Sequence, residues 1–131
     1  MLIRSTLAVL LAVGLPISTA ADDYDWRYVP FFDHPEVQAC AKKRAEEWAR
    51  EGVYSAAEIL DEASRYNSFL PELTKTSDRD TAHLQIGAMA RMWWSAKENL
   101  RPGFTLNLHE YANGLNVTCT FDAFDRHYTD G

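Results

Sequence analysis

Two cysteines, four histidines and nineteen carboxylates are the groups in this 131-residue chain whose chemistry depends on spacing. The histidines are His34, His83, His109 and His127, and no two stand at i, i+4. HExxH and related metal spacings are therefore absent. Asp122, Asp125 and His127 make the sharpest candidate metal grouping, close to a chain end where side chains are usually solvated. No metal site and no cofactor is expected. Glu58, Asp61 and Glu62 cluster in one short segment, and paired carboxylates do acid–base work when burial separates their pKa values. Here Glu58 has a simpler duty as a helix-capping residue, and Asp61 and Glu62 suit a wet face. Neither a G-x-S-x-G elbow nor a Gly-rich phosphate loop occurs, so no catalytic residue is assigned. Asn116-Val-Thr118 matches a glycosylation acceptor but falls inside a predicted strand.

The cysteines are more informative. Residues 1–20 carry Arg4, the apolar run Leu7–Leu15 and small residues at Ser18 and Ala20, the pattern of a secretory signal cleaved after Ala20. The run is too short for a membrane span, which needs roughly 20 apolar residues, so no stable membrane anchor is expected. A single globular domain over 21–131 follows, in a periplasmic or secreted location. In an exported domain, Cys40 and Cys119 are predicted to form one disulfide. Cleavage removes Arg4 and leaves 12 basic against 19 acidic side chains, a net charge of about −7. That balance excludes nucleic acid and anionic lipid as partners, since both select clustered Lys and Arg.

The elements that position these groups follow from periodicity. After Ala21, the aromatics Tyr24, Trp26 and Tyr28 alternate with Asp23, Asp25 and Arg27, which places three rings on one face of an extended segment. Pro35 suits a helix start, and Val37, Cys40, Ala41, Ala45 and Trp48 fall on one face up to Gly52. Ser55 and Glu58 form a capping box, flanked by Tyr54 and Ile59 at the positions of a hydrophobic staple. A third helix runs from Ser77 or Asp78 to Pro102-Gly103. Its stretch Ile86–Trp94 is apolar on nearly every side except at Arg91, which predicts a central, covered helix. Arg91 is then a pocket candidate for an anionic group. Beyond Pro102, Phe104, Leu106 and Leu108 alternate with polar residues, as do Leu115, Val117, Cys119 and Phe121. With Asn113-Gly114 between them, the two runs read as a β-hairpin.

The expectation is an α+β fold: three helices on a small antiparallel sheet, with a C-terminal hairpin and one disulfide. Asp23, Tyr24, Asp25, Trp26 and Tyr28 form the candidate partner-binding surface, because Tyr and Trp dominate binding hot spots. Small size, export, acidity and no catalytic set favour an inhibitor or immunity-type protein that blocks an envelope-acting enzyme. Enzymes acting on anionic wall polymers are often basic, and an acidic blocker meets such a partner faster. The alternatives are a small-ligand carrier or envelope accessory protein, and a secreted hydrolase or toxin. The export signal with two distant cysteines resembles the periplasmic immunity proteins of type VI secretion amidases. Those are helical bundles, and the alternation after Pro102 departs from that pattern, so no residue role is carried over.

Overall fold

Local rules set the ends of the helices. The structure, a computed structural model, describes residues 34–65 and 78–130. The leader with Asp23, Tyr24, Asp25, Trp26 and Tyr28, and the whole of the expected signal, lie outside the described residues. Helix α1 spans Pro35–Ala49, and its N-cap His34 accepts the Glu36 N–H on Nδ1 at 3.2 Å. Gly52, at φ +84°, closes its C-terminal turn in a conformation that a Cβ would disfavour. Helix α2 spans Ala56–Arg65, and the capping box closes in both directions. Ser55 N–H donates to Glu58 Oε1 at 2.9 Å, and Glu58 N–H to Ser55 Oγ at 3.1 Å. Helix α3 spans Arg79–Glu98 behind Asp78, whose carboxylate accepts the Thr81 N–H at 2.7 Å.

The C-terminal segment corrects the expected architecture. Leu108–Asp130 is one helix, α4, and among the described residues there is no strand and no sheet. Over these residues the fold is a four-helix, all-α arrangement, not the expected α+β. Its start carries a second capping box: Asn107 N–H donates to Glu110 Oε1 and Glu110 N–H to Asn107 Oδ1, both at 2.8 Å. Leu106 and Tyr111, at the staple positions around it, are both buried in the same core.

The alternation of Leu115, Val117, Cys119 and Phe121 has another origin than a sheet face. Leu115 and Cys119 enter the core shared with α1 and α2, whereas Val117 and Phe121 turn toward α3. A helix covered on several sides buries apolar residues at every register, so a strand-like period of two arises by coincidence. Every residue from Gly114 to Thr120 is buried. Helices α1, α2 and α3 each pack on α4, and α4, not α3, is the central helix.

Pairings along α4 give the directions. Glu36 meets His127, Cys40 meets Cys119 and Trp48 meets Tyr111, so α1 runs antiparallel to α4. His83 meets Asp125 and Trp93 donates its indole N–H to the Glu110 carbonyl at 2.9 Å, so α3 is antiparallel as well. The disulfide Cys40–Cys119 is formed, with Cα atoms 5.6 Å apart. Gly114 faces the Trp93 side chain of α3: a Cβ there would stand 2.2 Å from Trp93 Cε2. Asn113-Gly114 is therefore a close-packing site inside a helix and not a turn.

Candidate functional site

Three groupings of side chains have geometry worth following. The first closes the end of the bundle where α1 and α3 begin and α4 finishes. Glu36 pairs with His127 and, at 3.0 Å, with Arg126. Burial lowers the His34 pKa, with the His127 charge adding to it and Glu36 opposing. His83 Nε2 lies 2.8 Å from Asp125, and its ring stacks on Tyr128 at 3.9 Å. The Tyr128 hydroxyl donates to Asp80 at 2.6 Å, beneath the Arg79 guanidinium. Phe121 and Phe124 meet the same imidazole from other sides. Rings and carboxylates thus hold His83 in place, which fits a clamp between α3 and α4.

The second grouping runs along α1 and α4 beside the disulfide. Arg44 NH1 donates to Thr118 Oγ1 at 2.9 Å and lies 3.7 Å from Cys119 Sγ, while NH2 reaches Asp122 at 3.0 Å. Thr118 in turn donates to the Gly114 carbonyl at 2.6 Å. At the other end of α1, Trp48 packs on Trp93 with ring centroids 4.7 Å apart, and Trp94 and Tyr111 complete the aromatic core. The Tyr111 hydroxyl and Lys97 Nζ both donate to Glu51, at 2.5 and 2.6 Å. Burial pushes Glu51 up, but hydrogen bonds from Lys97 and Tyr111 and the Lys97 charge prevail and hold it below its ordinary value. Burial, with the Glu51 hydrogen bond and charge, drives Tyr111 far above the ordinary phenol range.

The third grouping is apolar. One side of α3 packs on α4 through Ala82, Ile86, Gly87, Ala90 and Trp93. The other side turns Leu84 and Met92 outward, 67 % and 71 % exposed, with Ala88 between them at successive i, i+4 steps. A cleft of about 310 Å³ continues this stripe toward α4, lined by Met89, Met92, Trp93, Asn113 and Val117. Arg91, the pocket candidate, is exposed. Its guanidinium lies back beside Gly87 and the Phe121 ring, where helical angles put it at the edge of the stripe.

The carboxylates and histidines singled out by spacing are dispersed. Glu58 caps α2, Asp61 pairs with Arg65 at 2.7 Å, and Glu62 lies 3.6 Å from His109. Asp122, Asp125 and His127 face three different partners: Arg44, His83 and Glu36. Among the described residues no group of three His, Cys, Asp or Glu could hold a metal ion. No described helix is long and apolar enough to cross a membrane. Asn116 is buried, and its amide donates to the Ala63 carbonyl at 3.1 Å, which gives this asparagine a structural task. The exposed side of α3 was missed because the whole Ile86–Trp94 stretch reads as covered. Leu84 and Met92, eight residues apart with Ala88 midway, carried the signal. Comparison with protein-family models, curated proteins and solved structures finds no match for this chain.

Proposed function

We propose that this is an exported, disulfide-bonded binding protein of the inhibitor or immunity type, which blocks an envelope-acting enzyme. The observation that carries the reading is the apolar stripe on α3, with Leu84 and Met92 exposed and Ala88 half-buried between them, on a chain of net charge −6. Two long apolar side chains held in water on a rigid helix have an unfavourable exposure that a partner surface would relieve. Each would contribute roughly 1.5–3 kcal/mol if fully covered. The acidic surround favours a basic partner, the charge expected of an enzyme that acts on anionic wall polymers. Arg91 at the edge of the stripe suits a carboxylate on that partner. The leader residues Asp23, Tyr24, Asp25, Trp26 and Tyr28 are proposed to extend the same interface. A helical bundle also agrees, at the level of fold alone, with the immunity proteins of type VI secretion amidases.

The cleft beside Met89 and Met92 keeps the ligand-carrier reading as an alternative, since apolar clefts of this size take small molecules. The test is affinity capture from the envelope with wild-type protein and with Leu84→Asp/Met92→Asp. The expected result is a basic hydrolase held by the wild type and lost by the variant, with equal circular dichroism and melting. Retention of that partner by the variant would remove α3 from the interface.

A further inference from the structure

The two sulfurs of the disulfide stand in unlike surroundings. Cys119 is fully buried on the central helix, with the Arg44 guanidinium 3.7 Å from its Sγ and Thr118 on the same nitrogen. Cys40 is partly exposed on α1 and opens into a cleft of about 240 Å³, lined also by Lys43, Arg44, Glu47, Asp122 and Arg126. We propose that Cys40 is the exchange site of this bond: thiols and dithiol oxidoreductases act at Cys40 Sγ, and Cys119 is the leaving sulfur.

A thiolate attacks Cys40 Sγ, a new sulfur–sulfur bond forms there, and the Cys40–Cys119 bond breaks with its electron pair going to Cys119. The resulting Cys119 thiolate sits against Arg44, which offsets the cost of placing charge on a buried sulfur. A second thiol, in a dithiol the other half of the same reagent, then attacks the mixed disulfide and releases Cys40. Two electrons pass from the dithiol to the protein. Oxidation retraces this path, so the mixed disulfide with an oxidant also forms on Cys40 before Cys119 closes the bond.

Access and leaving-group stability point the same way. An attacker at Cys119 would have to displace helix α1 from α4, whereas Cys40 is reached from solvent. The guanidinium contact at 3.7 Å is made to Cys119 Sγ, so Cys119 is the leaving sulfur that Arg44 faces directly. Asp122 competes for Arg44 at 3.0 Å, so it holds back part of that stabilisation. The mouth carries Lys43, Arg44 and Arg126 against Glu47 and Asp122, with Glu36 on Arg126, a balance of charge at the approach to Cys40.

The experiment uses the oxidised full chain, reduced glutathione as the probe, and N-ethylmaleimide added with denaturant at mildly acidic pH to trap the released thiol, with peptide mass spectrometry as the readout. The expected early product carries glutathione on Cys40 and the alkyl group on Cys119. The reverse placement, or an even distribution, overturns the proposal without recourse to any variant. In variants whose circular dichroism matches wild type, Arg44→Gln should slow the first exchange roughly three- to tenfold, as a poorer leaving thiolate demands. Asp122→Asn should speed it. Unchanged rates in both variants, or a faster exchange in Arg44→Gln with a slower one in Asp122→Asn, would remove Arg44 from the account.

Discussion

At the scale of single residues, Gly114 and Glu51 show how packing and charge use positions that look ordinary in the chain. Gly114 has a helical partner, Trp93, so close that any side chain would enter the indole ring. Replacing it by Val should destabilise the protein by about 3 kcal/mol, at the upper end for overpacking, because the ring is also tied to the Glu110 carbonyl. Urea denaturation measures this, and an unchanged midpoint would mean that Trp93 repacks freely. Glu51 gathers the Tyr111 hydroxyl and the Lys97 ammonium, and its pKa lies below the ordinary 4.5. A depressed carboxyl stabilises the fold above the unfolded-state pKa, and that stabilisation is lost as pH falls through the folded value. The melting-temperature difference between wild type and Glu51→Gln should therefore be full at pH 7 and shrink below about pH 4.5. A difference constant down to pH 3 would contradict this.

At the scale of elements, the start of α4 decides between helix and hairpin. Asn107→Ala removes the side chain that accepts the Glu110 N–H and should cost about 1 kcal/mol, read from chemical denaturation. Of the helices, α1 and α2 were legible because each has one buried face and a recognisable start: Pro35 for one, Ser55 and Glu58 for the other. The disulfide was legible from the expectation of export taken together with a count of two cysteines. Helix α4 was not, because Leu115, Cys119 and Ala123 serve one neighbour while Val117 and Phe124 serve another. Burial on several sides erases the 3.6-residue period, and Asn113-Gly114 supplies a false turn signal. The signal that did specify the helix was local: Asn107 and Glu110, with Leu106 and Tyr111 around them, repeat the pattern of Ser55, Glu58, Tyr54 and Ile59. The candidate face was hidden for the converse reason. An apolar run on α3 suggests cover from all sides, whereas Leu84 and Met92 are largely exposed among the described residues.

For the whole molecule, a small core is joined by one covalent link across 79 residues of chain. In the chain-entropy account such a loop contributes about 4 kcal/mol, so Cys40→Ser or Cys119→Ser should each lower stability by a few kcal/mol. Quantitative thiol labelling of the purified, denatured protein should find no free cysteine, and two reactive thiols per chain would contradict the bond. In the proposed function, the bundle presents α3 already formed with Leu84 and Met92 turned outward, which would spare the ordering cost of association. The most direct measurement takes the basic enzyme captured from the envelope and follows its turnover on its own wall substrate while this protein is added. The account predicts loss of turnover near one equivalent of wild-type protein, and at least a hundredfold weaker inhibition by Leu84→Asp/Met92→Asp of unchanged melting temperature, about 2.7 kcal/mol of binding. Full turnover in the presence of excess wild-type protein, or equal inhibition by the double variant, would contradict it.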